Sequence, residues 1–552
     1  MSSKFYVADF ETTSAKYYEE NGYTMVWLWA ICNDAAEVIA RGYDIQSFMQ
    51  YCYDNLGNAE IYFHNLKFDG SFILDYCMKQ GLRYIPKLKD AKSGVGCLIS
   101  DMGAWYSIDV KYSDRKCIHF KDSLKLLPFT VKKIAEDFDL PIMKEHINYE
   151  DYSITDEKIE YIDHDVRIVA MALNIIRNEG LEKMTTASSA FSNYKKTLSK
   201  QFFEINFPKI ENTQLLRDWR DAYRGGRSQV NPLYKDKKLK NVNRYDINSM
   251  YPYIMRKMPL PYGQPHYYVG RDMYAFELIK VRIGFVLKDD HLPSLLKKDY
   301  LFGEDSYYIQ TEDIEEMWLS SIDLKLVERN YDVYHLEILE TYGFATSTML
   351  FNEYIDYWYG KKQVDKGAQR VVDKLMLNSL YGKFGTNIDK AHKIPSIDEN
   401  NSVRLENSEF EEGKQYYLPM AIAIVSWAHW LIDNAIQETG IDNFIYCDTD
   451  SVHTLGTLPA DMVDNKELGK FKLEAVEEEC RYVRQKTYIT KEKGEWNITC
   501  CGMPDKCKTR LIKGLGDLVI DEFTVGLKVN GKLMPKRVNG GTILYETQFE
   551  IR

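Results

Sequence analysis

The six residues Tyr446-Cys447-Asp448-Thr449-Asp450-Ser451 constrain this chain more than any other stretch. Apolar residues precede them (Phe444, Ile445) and follow them (Val452, Leu455). The pattern predicts a β-hairpin whose tight turn presents two carboxylates one residue apart. Two acids held together at a turn repel each other unless a cation lies between them. Asp is also a common turn former in its own right, so the turn acquires chemical meaning only if other segments complete a site.

Two other segments do so. Tyr245-Asp246-Ile247-Asn248-Ser249-Met250-Tyr251-Pro252 places Asp246 at a strand-to-helix passage. Between Lys362 and Gly385, the residues Lys362, Lys366, Arg370 and Lys374 recur every four positions, and Asn378 extends the row. That spacing predicts a single helix with the row along one face. A solvated charged face has the same spacing. Here, however, the row leads into Leu375–Gly382, which reads as an apolar, aromatic-ended turn forming a packed floor. Together the three segments suit nucleotidyl transfer, which needs positioning and charge neutralisation more than covalent chemistry. Asp246 and Asp450 are placed to bridge two cations, with Asp448 beside them. The lysines suit a triphosphate, and Tyr251 is placed to block a 2′-hydroxyl.

A second acidic set lies towards the N-terminus. Phe5–Thr12 reads as a strand with Asp9 and Glu11 on one face. Ile61–Gly70 supplies Asp69. A helical pattern from Glu157 to Ile176 puts Tyr161 and Asp165 on a shared face. Any one of these acids is ordinary. Four from three distant segments suit two metals and a hydrolytic water.

The first three segments resemble motifs A, B and C of the family B DNA polymerases, in particular the protein-primed enzymes of bacteriophages. The resemblance covers nearly the whole chain in the same motif order. Tyr223-Arg224-Gly225-Gly226 is similar to that group's Tyr-x-Gly-Gly element, and Lys486-Thr487-Tyr488 to its Lys-Thr-Tyr element. The resemblance implies an α/β and α+β multidomain fold: an RNase H-like 3′–5′ exonuclease followed by a right-hand polymerase of palm, fingers and thumb. It implies template contact at Tyr223, Gly225 and Gly226, and primer contact at Lys486, Thr487 and Tyr488. Lys362, Lys374, Arg370 and Asn378 would hold the incoming nucleotide. Tyr251 would gate its sugar, Tyr381 would pack over the nascent pair, and the Ile247 carbonyl would add a metal ligand.

In the nuclease, the resemblance implies metal binding by Asp9, Glu11, Asp69 and Asp165, with Tyr161 orienting the water. Thr12, Tyr62, His64, Asn65, Phe68, Phe72, Ser123 and Leu124 would hold the frayed strand, a set with suitable stacking and polar groups. Lys144 matches a family lysine near this site, although the following Glu145-His146-Ile147-Asn148 departs from the expected acidic pattern. The cofactors implied are two Mg²⁺ per active site, with Mn²⁺ an alternative. The partners implied are primer-template and single-stranded DNA, dNTPs and a terminal priming protein, for a monomeric, phage-encoded enzyme in the bacterial cytoplasm.

The domains expected are exonuclease at 1–180, palm at 190–257 and 416–485, fingers at 354–384 and thumb at 486–552. Inserted terminal-protein regions are expected at 258–353 and 385–415. The first would dock the priming protein. The second, read as an exposed hairpin, would help close a ring around DNA and part the downstream duplex.

Composition bears on this reading through charge. A formal net charge of −11 opposes DNA binding for the chain as a whole. Residues 481–552, however, hold 14 Lys/Arg against 8 Asp/Glu, as suits a basic channel in an acidic molecule. Lys506, Lys508 and Arg510 alternate, which on a strand would show all three on one face. The longest apolar stretch, Pro419 to Ile432, reads as a buried helix too short and polar to span a bilayer. The start reads as a strand with no signal peptide, and ten cysteines without Cys-x-x-Cys spacing suggest a reduced protein lacking structural zinc. The alternatives are a DNA-primed family B polymerase for repair or plasmid replication, which shares every catalytic motif, and an inactive DNA-binding scaffold. A reverse transcriptase would pair adjacent aspartates at the hairpin, where this chain has Asp-Thr-Asp.

Overall fold

The computed structural model describes residues 4–145, 150–298 and 306–552. His146, Ile147 and Asn148, where the sequence departs from the acidic pattern, lie outside them. The N-terminal region is built on a seven-stranded mixed sheet with Tyr6–Thr12 near its centre. This strand pairs antiparallel with Val26–Asn33 and parallel with Glu60–Phe63. The strand Val26–Asn33 is apolar along nearly its whole length and is buried on both faces, as a strand between two helical layers must be. Helix Asp156–Asn178 covers one face of the sheet and helix Leu66–Lys79 the other. Acids on the central strand therefore meet acids from both layers.

A second seven-stranded sheet carries the Asp-Thr-Asp hairpin. Its strand Lys238–Ile247 lies between Ser451–Thr454 and the long strand Phe471–Arg484. Helix Leu418–Thr439 packs behind it and is buried along most of its length, as its sequence predicts. Among the described residues, no helix is long and apolar enough to cross a membrane.

The row of cations does not lie on one helix. Helix Asn352–Val364 ends before Asp365, and a second helix, Gly367–Phe384, folds back beside it. Lys366, in an extended conformation at the break, leaves the row. Leu375–Gly382, expected as a turn, is the helical interior of the second arm. Its buried Met376, Leu377 and Leu380 recur at the spacing of one helix face. The hairpin's break rests on the N-terminal domain, where Lys361 pairs with Glu179 at 2.8 Å.

The segment 258–353 forms its own four-stranded sheet with helix Ser321–Asn330 and a separate small core around Val281, Phe285 and Leu319. The segment 385–415 forms one nested hairpin, in which the short pair Asp389–Lys390/Glu411–Glu412 encloses an inner two-stranded ladder. The hairpin Lys393–Ile397/Val403–Asn407 sits on the N-terminal domain, and Val403 joins that domain's core.

The strands Thr487–Glu492 and Glu495–Cys500 continue the second sheet past Lys486. Lys506, Lys508 and Arg510 lie on helix Asp505–Leu515 rather than on a strand. Cys507 and Leu511 are buried beneath that helix, a four-residue spacing that overrides the alternation of charge. Lys506 and Arg510 share Glu546, and Lys508 pairs with Asp505, so these cations are already neutralised. The ribbon Lys528–Val538/Gly541–Glu550 then reaches back to the N-terminal domain.

Candidate active sites

Strand register brings the first set of acids together. Asp246 stands opposite Ser451 on one neighbouring strand and Lys472 on the other. The Ile247 N–H donates to the Asp450 carbonyl at 2.8 Å, so both carboxylates sit at the same end of the sheet. Thr449 has a φ of +60° at the turn, and its N–H donates to the Arg227 carbonyl at 2.7 Å. A Cβ on Gly226 would stand 2.9 Å from Thr449 Oγ1, so glycine there lets the Tyr-x-Gly-Gly loop lie flat on the acidic turn. Cys447 is buried beneath it.

Burial first, and Asp450 second, raise the Asp246 carboxyl to about 7. Burial raises Asp450 to about 6, with Asp448 and Glu474 adding to it. Asp448 is placed differently: its Oδ1 accepts from Lys486 Nζ at 2.5 Å. Among the described residues, no three ligating side chains stand together as a ready metal cage. The donors present are nonetheless hard oxygen atoms crowded enough to resist ionisation, which is the chemistry that a divalent cation relieves.

Asp246 and Asp450 line one side of a cavity of about 690 Å³. Lys362, Arg370, Lys374 and Asn378 line the other, brought together by the helical hairpin. Lys362 Nζ donates to Ser249 Oγ at 2.6 Å. Burial, then Lys374 and Arg370, lower its ammonium to about 8, so this wall favours an anion. Tyr251 and Tyr381 stack with ring centroids 3.9 Å apart and close the cavity floor. Lys472 and Glu474 also line it. Neither has a sequence signal, because only strand pairing brings residue 472 beside 246.

A second groove of about 620 Å³ joins Tyr223, Gly225 and Gly226 to Lys486. Thr487 is fully buried, and Tyr488 packs among Tyr446, His453 and Tyr482. Neither lines the groove, and the Lys486 N–H donates to the Tyr446 hydroxyl at 3.0 Å.

In the N-terminal domain, Asp9 and Glu11 on the central strand meet Asp69 from the first turn of one helix and Asp165 from the other. Burial, with Asp165 next, raises Asp9 to about 7. Burial, with Asp9 next, holds Glu11 and Asp69 well above the usual carboxylate range. Asp122 Oδ1 accepts from the N–H groups of Asn65 and Leu66 at 3.1 and 3.3 Å, fixing the helix start that carries Asp69. Lys144 pairs with Asp165, and its Nζ lies 4.9 Å from the centroid of the buried Tyr161 ring.

The residues expected around a single strand divide into two groups. Thr12, His64, Asn65, Phe68 and Leu124 retain surface. Tyr62, Phe72 and Ser123 are buried. Arg177 Nη1 donates to the Tyr62 hydroxyl at 3.0 Å, and Ser123 Oγ donates to the Phe63 carbonyl at 3.1 Å. Their position in the core makes them supports, not stacking platforms. A cavity of about 720 Å³ opens over Asp9, Asn65, Phe68 and Asp69, and its far wall is the C-terminal ribbon at Leu533, Pro535 and Arg537.

With both sites described, the chain can be compared with known proteins. A family model described as DNA polymerase type B, organellar and viral, matches residues 53–153 and 150–468. The DNA polymerases of Bacillus phages M2 and phi29 are each 34% identical to this chain, with the whole of both chains covered. That of Streptococcus phage Cp-1 is 32% identical, covering 99% of this chain and 98% of its own. The solved phi29 DNA polymerase complexed with primer-template DNA is 33% identical, covers all of both chains and superposes with a TM-score of 0.90. The same enzyme complexed with primer-template DNA and incoming nucleotide superposes at 0.89. This chain is therefore a DNA polymerase and belongs to the type B polymerases of viruses and organelles.

Proposed function

We propose that this is a phage-encoded, protein-primed replicative DNA polymerase with a separate 3′–5′ proofreading nuclease. The single observation that carries the synthetic half is the two-sided cavity, with Asp246 and Asp450 facing Lys362, Arg370 and Lys374. Its cationic wall holds the triphosphate of an incoming dNTP. The half-buried Tyr251 ring blocks a 2′-hydroxyl, and Tyr381 lies under the nascent pair. The Gly225–Gly226 loop carries the template, and Lys486 reaches the primer terminus beside Asp448. Asp246, Asp450 and the Ile247 carbonyl would hold Mg²⁺ or Mn²⁺, a cation that supplies charge neutralisation at the phosphoryl oxygens.

In the nuclease, Asp9, Glu11, Asp69 and Asp165 are the matching donors. Tyr161 orients the attacking water, and Thr12, His64, Asn65, Phe68 and Leu124 hold the unpaired end. The domains are read as in the expected scheme except at one boundary: the strands Thr487–Glu492 and Glu495–Cys500 extend the palm sheet, which favours a thumb that begins after Cys500 rather than at 486. The separate core of 258–353 supports its reading as a docking module for a priming protein. The seat of the 385–415 hairpin on the nuclease domain supports a closed passage for DNA.

The test uses a primer on a circular single-stranded template with Mg²⁺ and dNTPs, without helicase or clamp. We expect products much longer than one circle. Synthesis that stops at the primer's 5′ end would favour a repair-type enzyme.

A further inference from the structure

The cavity over the nuclease carboxylates is built by two parts of the chain that are far apart in sequence. The ribbon that closes it is fixed to the nuclease domain at its turn. The Thr24 N–H donates to the Asn539 carbonyl at 2.9 Å, and Lys79 Nζ donates to Asn539 Oδ1 at 2.7 Å. The Gly540 N–H donates to Asp75 Oδ1 at 3.3 Å. A Cβ on Gly540 would lie 2.0 Å from the Thr24 carbonyl oxygen, and one on Gly541 would lie 2.4 Å from the Phe72 ring. Only a glycine pair allows this backbone to lie flush on the domain. The dock also gives the buried Phe72 its place: its ring is the seat for the ribbon.

Arg537 stands two residues before this dock, across the ribbon from Thr542, and lines the cavity. Its position relative to Asp9 and Asp69 is therefore fixed. Of the other cations on the ribbon and its supporting helix, Lys506 and Arg510 share Glu546, Lys508 pairs with Asp505, Lys528 faces Glu550 and Lys532 lies over the Phe549 ring, and none of these lines the cavity. Among the described residues, no ion pair or hydrogen bond engages the Arg537 guanidinium. Partial burial lowers its pKa, and no ion pair joins it to Asp9 or Asp69, which line the same cavity. The cation is thus held across the cavity from the acids, too far away to pair with them. A guanidinium that loses water without gaining a partner marks a place for an anion. The acids opposite it suit cation-mediated hydrolysis of a phosphodiester.

We propose that Arg537, contributed by the C-terminal ribbon, binds a backbone phosphate of the unpaired 3′ strand, upstream of the bond that the nuclease cuts. The proposal rests on the nuclease reading given above. Arg537 adds binding and register, while the nuclease domain supplies the chemistry. Removal of single nucleotides would thus depend on the ribbon being docked.

The experiment measures steady-state hydrolysis of labelled single-stranded oligonucleotides by the full chain with Mg²⁺. Arg537→Ala is expected to raise KM about tenfold, the loss of one charge-assisted phosphate contact, with kcat nearly unchanged. The salt slope of log kcat/KM should fall by about 0.7, one phosphate on a single strand. Arg537→Lys should recover much of the loss. A scan of single neutral methylphosphonate linkages should find one position that weakens the wild type and adds nothing to Arg537→Ala. Unchanged KM and salt slope in Arg537→Ala, or a methylphosphonate penalty that is fully additive at every position, would overturn the assignment. Hydrolysis that persists in Asp9→Ala would remove the nuclease site itself, and the inference with it.

Discussion

On the proposed reading Asp246 and Asp450 serve synthesis and Asp9 with its neighbours serves hydrolysis, and the two cavities share no lining residue. Asp450→Ala should lower primer extension by about 10³-fold while leaving hydrolysis of single strands intact, and Asp9→Ala should do the reverse. Loss of both activities from either change in a folded variant would end the two-site reading. Tyr251→Val should admit ribonucleotides, read as the ratio of kcat/KM for dNTP and rNTP; an unchanged ratio would remove Tyr251 as the sugar gate. Most of the acids were legible in sequence because turns and strand alternation fix their neighbours locally. Lys472 and Glu474 were not, and Arg537 was legible only as one charge of the basic C-terminal tract, not as a residue of the nuclease cavity. Each reaches its cavity through strand pairing or domain docking, which leaves no periodic trace. The same limit made Tyr62 and Phe72 look like stacking platforms: an aromatic beside a motif reads alike whether it faces the cavity or the core.

Helix breaks and sheet extensions decided where the elements departed from expectation. A four-residue recurrence of cations is compatible with one helix or with a hairpin of two, and composition alone does not mark the break at Asp365-Lys366. The hairpin buries Asp373 close to Asp365 and 4.0 Å from Lys361 Nζ. Burial, opposed only in part by Lys361, raises the Asp373 carboxyl from 3.8 to about 6. The folded chain therefore holds this proton more tightly than the unfolded one. The wild type loses that advantage as pH rises through 6 and regains it as pH falls towards 4. Asp373→Asn cannot ionise, so it should raise stability on the order of 1 kcal/mol at pH 8, and the gain should vanish near pH 4. Thermal melts of both proteins across that window would reveal it; a gain independent of pH would refute the ionisation account. On the helix Asp505–Leu515, by contrast, the buried Cys507 and Leu511 were present in the sequence at helical spacing, and the alternating lysines obscured them.

At the scale of the molecule, the two-sheet plan follows from motif order, while its closure does not. The C-terminal ribbon and the 385–415 hairpin both rest on the N-terminal domain, and the hairpin strand Val403–Asn407 also touches the ribbon. These contacts join residues hundreds of positions apart, so no local pattern announces them. Gly540→Ala should spring the dock, since its φ of +96° and the 2.0 Å approach to Thr24 leave no room for a methyl group. Limited proteolysis of the ribbon should then be faster by about tenfold, the effect of a local opening made easier by roughly 1.4 kcal/mol. Unchanged cleavage would mean that other contacts hold the ribbon. The dock also has a consequence in time. During synthesis Asp9 leaves the ribosome long before Arg537, and domains fold largely in the order in which they emerge. A nascent chain thus passes through a stage in which its degradative chemistry is assembled and lacks its far wall. The enclosure that restricts what reaches it arrives only with the ribbon.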